Sequence, residues 1–153
     1  MKIAGIQFAC TRDKEKNVNT AVKLLSAALN ENAKIVCFQE LFNQYWFPKD
    51  RDDAAFALAE NADGDTVRLF KSLVKGTDTV IVLPIFEKAG EHHYNSTVVI
   101  EGDRTLGTYR KLNVTDIPLW EEKFYFEQGD TGLPVFETTH GKFGIQTSWD
   151  NFF

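Results

Sequence analysis

The chain has 153 residues, of which 43% are apolar and 25% charged, which is typical of one ordinary globular domain with a real core. A formal net charge of −5 and the lack of a basic run argue against a general nucleic-acid binder, and no apolar segment is long enough to span a membrane. With only Cys10 and Cys37 and no signal peptide, we expect buried thiols and a cytoplasmic protein rather than a disulfide framework.

The first half of the chain alternates between predicted strands and helices. A β-favouring run predicts a strand over residues 2–9, and a continuous apolar run predicts a strand buried on both faces over residues 33–39. Between them, six apolar residues follow the 3.6-residue period of a helix: Val18, Ala21, Val22, Leu25, Ala28 and Leu29. Two further helices are predicted, over residues 54–60 and after the capping residues 63–66.

The second half of the chain is rich in strands. Turn signals separate five predicted strands, over residues 79–86, 93–100, 104–110, 134–138 and 142–146. The order of elements is typical of a layered α/β domain with a mixed sheet, and we find no linker that would divide residues 1–153.

Polar side chains follow three of the predicted strands, at Glu40, Lys111 and Ser148. The carboxyl ends of buried strands are where α/β folds place their chemistry, so we expect the three to meet. A carboxylate beside a nucleophile can act as a general base, and an ammonium can stabilise an oxyanion. The lysine charge would keep Glu40 ionised, whereas burial would act in the opposite direction.

An aromatic, irregular loop over residues 41–48 follows the second strand. Its candidates for contact with a ligand are Tyr45 and Trp46. Two interpretations stay open, because these rings either form a pocket wall or pack beneath the next helix.

Six separated motifs carry a resemblance to a known family. They are FQELF at 38–42, HYNS at 93–96, YRKL at 109–112, EKFYF at 122–126, GDTGLPVF at 129–136 and GKFGIQ at 141–146. In this order, and over almost the whole chain, the sequence resembles the nitrilase or carbon–nitrogen hydrolase superfamily. Within it, the chain looks most like the N-carbamoyl amide hydrolases, of the N-carbamoylputrescine amidase and β-ureidopropionase types.

The resemblance implies an α-β-β-α sandwich and a Glu-Lys-Cys triad. By motif, Glu40 would be the general base, Lys111 the oxyanion stabiliser and position 148 the nucleophile, while Glu122 would position the lysine and the substrate. The implied reaction is thiolate attack on an amide-like carbon, release of ammonia or an amine, and hydrolysis of the thioester. It requires no metal and no organic cofactor, and its substrate is a small-molecule amide.

Position 148 departs from the family because it holds serine where the triad has cysteine. A thiol has a pKa of about 8.5, whereas a hydroxyl is a far weaker acid that normally needs a histidine base. No histidine is placed by motif to serve Ser148, and the Gly-x-Ser-x-Gly pattern is absent. The neighbouring Thr147 also stands where the family usually has an apolar residue. We therefore predict little or no hydrolase activity for the chain as written.

The chain also ends at Phe153, whereas members of the family continue well past the nucleophile. The sandwich is therefore expected to be incomplete at its C-terminus, with an uncovered sheet face, and the protein is expected to form a homo-oligomer. Many members have histidine and proline in the loop that begins at Asn113, so this loop is predicted to shape the pocket. Trp149, beside the nucleophile position, is a further candidate for substrate binding.

Three functions are weighed from the sequence. The first is a carbon–nitrogen hydrolase acting on an N-carbamoyl amine or amino acid, with activity impaired by Ser148 and the early end of the chain. The alternative is a catalytically inactive binding or assembly protein with the same fold. A nucleotide-binding α/β domain is disfavoured, because no glycine-rich phosphate-binding motif follows any predicted strand.

Overall fold

A five-stranded mixed sheet forms the centre of the structure, a computed structural model that describes residues 1–153. The strands follow one another in the order of the sequence: β1 (Lys2–Ile6), β2 (Ala33–Phe38), β3 (Val80–Ala89), β4 (His92–Glu101) and β5 (Arg104–Arg110). The first three strands are parallel, and β3, β4 and β5 form an antiparallel meander. The predicted mixed sheet is therefore confirmed.

Helices and a short hairpin complete the fold. The α-helices are α1 (Lys14–Asn30), α2 (Asp65–Leu73) and α3 (Glu122–Tyr125), and β6 (Phe136–Thr138) pairs with β7 (Gly141–Phe143). Short 3-10 helices span Phe47–Lys49, Asp53–Leu58 and Ser148–Phe152. The helix predicted over residues 54–60 is thus a 3-10 helix, and the first strand ends at Ile6 instead of residue 9.

Helix α1 follows directly from its sequence. The Asp13 side chain accepts a hydrogen bond from the Lys16 amide at 3.0 Å, which caps the free N–H groups of the first turn. Ala21 and Leu25 form the buried centre of the predicted apolar stripe. After the helix ends, Asn32 adopts a φ of 60° and turns the chain into β2.

The main core lies between the sheet and helices α1 and α2. Its centre is a cluster of Phe38, Phe42 and Phe70, whose ring centroids lie 4.8 to 5.3 Å apart. Strand β2 contributes Val36 to this core and Ile35 to the opposite face. The prediction that this strand is buried on both faces is confirmed.

The second face of the sheet packs against the β6–β7 hairpin. Val82, Val99 and Tyr109 of the sheet form a smaller core with Phe136 of β6. Helices therefore cover one face and a second strand layer lies on the other. Large apolar side chains are exposed at the ends of this layer, at Leu133, Val135, Phe152 and Phe153.

The strand predicted over residues 142–146 is wrong beyond Phe143. The segment keeps its alternation, with Phe143 and Ile145 partly buried against the second core. However, β7 is paired only with the three-residue β6, so residues 144–147 have no strand partner for their backbone groups. The sequence pattern of these residues is that of a strand, but a strand also needs a neighbouring strand to pair with.

Both cysteines are half-buried free thiols, which corrects the expectation that they are buried. Burial still raises the pKa of the Cys10 and Cys37 thiols. No helix in the structure combines the length and the apolar composition needed to cross a bilayer.

The backbone of Gly129 packs closely against the backbone of Arg110 and Lys111 at the end of β5. Its amide donates to the Lys111 carbonyl at 2.9 Å, and a Cβ atom at this position would lie 2.1 Å from the Arg110 carbonyl oxygen. Because that neighbour is backbone, it cannot move away as a flexible side chain would. Gly129 thus lets the chain pack against the strand end that carries Lys111.

We expect Gly129→Ala to lower the free energy of unfolding by about 1–3 kcal/mol, because the new methyl group overlaps the Arg110 backbone. Urea unfolding followed by circular dichroism measures the change. Gly5→Ala is the matched control, since a Cβ atom at Gly5 meets nothing within 4 Å. An equal effect at both positions would contradict the close-approach explanation.

Candidate active site

Lys111 lies at the centre of the candidate site, immediately after β5. Its side chain is 0% exposed, and its Nζ atom donates to Oε1 and Oε2 of Glu122 at 2.7 and 2.9 Å. The same Nζ donates to Glu40 Oε1 at 3.0 Å. Three residues singled out from the sequence therefore form one buried charge cluster.

Different elements bring these three side chains together. Glu40 lies two residues beyond β2, where Leu41 adopts a φ of 51° and reverses the chain direction. Lys111 directly follows β5, which is separated from β2 by the two strands β3 and β4. Glu122 is the first residue of α3, and its Oε2 also accepts from the Thr115 amide at 3.2 Å.

The cluster contains two carboxylates and one ammonium. Burial raises the pKa of Glu122 above its ordinary value of 4.5, although the contacts with Lys111 act in the opposite direction. The net effect is a raised pKa, because Glu122 is fully buried and Glu40 competes with it for the Lys111 ammonium. Glu40 and Glu122 therefore share one buried cation, which both bind through their carboxyl oxygens.

Ser148 lies at the rim of a pocket of about 330 Å³ that Glu40 also lines. Its backbone adopts a φ of 50°, in the left-handed region that non-glycine residues seldom occupy. The sequence placed this residue at the end of a buried strand, and that is wrong, because it is exposed and begins a 3-10 helix. Its hydroxyl makes no hydrogen bond to Glu40, Lys111 or Glu122.

Asp150 holds the turn around Ser148, and the sequence reasoning assigned it no role. Its carboxylate is buried and accepts from the Thr147 amide at 2.9 Å, the Asn113 amide at 2.7 Å and the Tyr109 hydroxyl. Burial, followed by the bond to Asp150, raises the pKa of Tyr109. Asp150 thus fastens the turn at residue 148 to the segments on both sides of Lys111.

The four residues predicted to bind substrate do not share one pocket. Trp46 lines a pocket of about 230 Å³ together with Glu40, whereas Asn113 and Trp149 line a different one of about 770 Å³. Tyr45 lies beneath the Arg12 guanidinium, 4.5 Å from ring centroid to Cζ. Trp46 therefore agrees with the interpretation of the aromatic loop as a pocket wall. Phe42 and Phe47 of the same loop agree with the other interpretation, because they pack into the cores.

The histidines bond to groups outside this cluster. His92 contacts Glu127 at 2.6 Å, and His140 contacts the Asp78 carbonyl at 2.8 Å. His92 and His93 are the first two residues of β4. No group of three or more histidine, cysteine, aspartate or glutamate side chains is arranged to hold a metal ion.

Comparison with known proteins identifies the family. A family model described as carbon-nitrogen hydrolase matches residues 2–153. The chain belongs to the carbon–nitrogen hydrolase family. It is 42% identical to an N-carbamoylputrescine amidase of Solanum tuberosum over an alignment of 153 positions, which covers 99% of this chain and 51% of that protein. The resemblance indicated by the six motifs is confirmed, and the chain spans about half the length of the curated relatives it matches.

Solved structures of the family share the fold. A carbon-nitrogen hydrolase from Helicobacter pylori G27 is 32% identical and superposes with a TM-score of 0.91, covering 98% of this chain and 53% of that one. Nit3 of Saccharomyces cerevisiae, a member of branch 10 of the nitrilase superfamily, is 20% identical, with a TM-score of 0.75 and coverage of 95% and 54%. The predicted nitrilase-type α/β fold is therefore confirmed, for a chain that corresponds to an N-terminal portion of its relatives.

The raised pKa of Glu122 predicts how stability changes with pH. Its contribution to folding is fully present below the unfolded value of 4.5 and is lost as the pH rises through the higher native value. Glu122→Gln imitates the protonated carboxyl group and lacks this dependence. We therefore expect the variant to gain stability relative to the unchanged chain as the pH rises above 4.5.

Urea unfolding of both proteins at a series of pH values between about 4 and 8 measures this difference. Glu121→Gln serves as the control, because Glu121 lies next in sequence and pairs with Arg51 at the surface instead of Lys111. If the unchanged chain becomes more stable relative to Glu122→Gln as the pH rises, the ion pair with Lys111 outweighs burial and the pKa of Glu122 is lowered instead of raised.

Proposed function

We propose that residues 1–153 form the N-terminal portion of a single carbon–nitrogen hydrolase domain that hydrolyses an N-carbamoyl amine or amino acid. The observation that carries the proposal is the buried Lys111 ammonium held between Glu40 and Glu122. Such a cluster supplies a general base and a positive charge within one small volume. The similarity to an amidase named for N-carbamoylputrescine supports the substrate class.

In this proposal Glu40 accepts the proton of the nucleophile at position 148 and later donates it to the leaving group. Its Oε1 is occupied by Lys111, whereas its Oε2 has no hydrogen-bond partner and remains available. The nucleophile forms a bond to the carbamoyl carbon, and the C–N bond then breaks with release of ammonia or amine. The carbamoyl group stays bound to the oxygen or sulfur at position 148 until water cleaves it, and the released carbamate breaks down to carbon dioxide and the remaining ammonia or amine.

Lys111 and Glu122 have supporting roles in the same scheme. The Lys111 ammonium stabilises the negative oxygen that develops on the attacked carbon, and burial strengthens this interaction because little water screens the charge. The two contacts from Glu122 fix the position of the lysine side chain. These roles agree with those that the family resemblance implies.

Ser148 is the residue that limits the reaction in this scheme, because its hydroxyl is a poor nucleophile. A carboxylate is a poor base for an alcohol, and neither His92 nor His140 contacts this residue. We therefore expect slow or absent turnover from the chain as it stands.

The serine favours a second candidate function, a binding protein that keeps the fold without the chemistry. Since Glu40 and Lys111 retain their contacts, a ligand could bind beside them without being cleaved. Homo-oligomer formation and a cytoplasmic location stay predictions, as do the substrates and activity of the whole protein.

The test is to replace Ser148 by cysteine. We expect Ser148→Cys, joined to the C-terminal half of the Solanum tuberosum amidase, to release ammonia from N-carbamoylputrescine at least about 100-fold faster than the same fusion with serine. A thiol can be ionised near neutral pH, and an alcohol cannot. Ser26→Cys, which places a thiol on the exposed side of α1, is the matched control and should change nothing.

If the cysteine fusion releases no ammonia from a broad panel of amides, the hydrolase assignment is wrong. Isothermal titration calorimetry of the unchanged chain with N-carbamoyl compounds tests the second candidate function, the binding protein. Binding of N-carbamoyl compounds without turnover supports a binding protein, and a lack of affinity for any of them removes it.

A further inference from the structure

Asn95 contacts the candidate base directly, although neither the sequence pattern nor the family resemblance gave it a role. It lies in β4 and is 2% exposed. Its Nδ2 donates to Glu40 Oε1 at 2.7 Å, and Lys111 Nζ donates to the same oxygen at 3.0 Å. A neutral and a charged donor therefore converge on a single oxygen of Glu40.

The register of the sheet places Asn95 at this point. The Lys111 amide donates to the Asn95 carbonyl at 2.9 Å, which continues the ladder beyond the pairing of Ser96 with Arg110. Side chains alternate along a strand, so Asn95 points to the same face as Thr97, which lines the pocket that reaches Ser148. The contact with Glu40 is thus fixed by rigid backbone on both strands.

The two donors leave the oxygens of Glu40 unequal. Oε1 accepts both hydrogen bonds, and Oε2 accepts none from the protein. The Glu40 side chain is 21% exposed, so the carboxylate is open to the pocket while one of its oxygens is anchored. A carboxylate held in this way presents a single oxygen to a reacting proton.

Stability of the fold does not account for an amide at position 95. Its Oδ1 is buried and has no hydrogen-bond partner, which is a cost that an apolar side chain would avoid. A second buried asparagine, Asn43, has the same feature, and its Nδ2 donates to Glu60 Oε1 at 2.7 Å. The two amides therefore donate to different glutamates, and only Asn95 donates to the candidate base.

We propose that Asn95 is a positioning residue that anchors Oε1 of Glu40, so that Oε2 takes the proton of the group at position 148. The proposal rests on the proposed function. Its consequence is that loss of the Asn95 donor lets the Glu40 carboxylate turn, so that Oε2 no longer faces position 148 and the proton of the group there is removed less readily.

The experiment measures the reactivity of a thiol placed at position 148. In the Ser148→Cys chain, the alkylation rate by iodoacetamide is followed between about pH 5 and 9, and peptide mass spectrometry separates this thiol from those of Cys10 and Cys37. Asn95→Leu removes the donor. Asn95→Ala also removes it and leaves a smaller side chain, in case the leucine variant fails to fold. Asn43→Leu is the matched control.

We expect the Ser148→Cys thiol to react at lower pH than the same thiol in urea. Asn95→Leu and Asn95→Ala should move the acid limb of the profile to higher pH and slow alkylation at pH 6 by about tenfold, as for loss of a hydrogen bond to a charged group. Asn43→Leu should lower the melting temperature and leave the profile unchanged.

The outcomes separate the two proposals. If the Ser148→Cys thiol behaves as it does in urea, the candidate site does not activate position 148, and both proposals fail. If that thiol is activated and the Asn95 variants keep its profile, only the role of Asn95 is overturned. An equal shift in Asn43→Leu also overturns it, because general loosening of the fold would then explain the effect.

Discussion

A lysine ammonium with no contact to solvent is the constraint on which the candidate site depends. Lys111 is fully buried, and a buried charge is tolerated only when opposite charges compensate it. Glu40 and Glu122 supply that compensation from distant parts of the chain. Removal of one partner from such a pair costs about 3–5 kcal/mol in proteins generally, so the positions of β2, β5 and α3 are linked through this cation.

The short segment from Tyr109 to Asn113 connects the charge cluster with the turn at Ser148. Lys111 faces the two glutamates, while Tyr109 and Asn113 on either side of it both donate to Asp150. Asp150 in turn holds the strained turn that presents Ser148. Glu40, Lys111 and the turn at Ser148 are therefore all connected to one strand end, which Gly129 packs against from outside.

The contacts of the charge cluster do not depend on the residue at position 148. Glu40, Lys111 and Glu122 make their contacts in a chain whose nucleophile position holds a hydroxyl. The electrostatic part of the site therefore does not need a thiol in order to assemble. The chain belongs to the carbon–nitrogen hydrolase family, and in the proposed mechanism the residue at position 148 decides how much of that chemistry the chain performs.

Local patterns in the sequence predicted most of the elements and the members of the charge cluster. Periodicity gave α1, and β-favouring or apolar runs bounded by turn signals gave the strands of the main sheet. The motifs around Glu40, Lys111 and Glu122 named the cluster. The strand over residues 142–146 was misjudged, since apolar alternation indicates a face and says nothing about whether a neighbouring strand exists.

By itself, the sequence determined the family, the order of the elements and the three charged residues. Only the tertiary structure decided that Lys111 is wholly buried, that Asp150 and Asn95 support the site, and that the predicted substrate-binding residues lie in separate pockets. The physical reason is that the first set of features depends on residues close together in the sequence, and the second on contacts between distant segments. Spacing along the chain fixes which face a side chain occupies, whereas its hydrogen-bond partner depends on strands and loops that are distant in sequence.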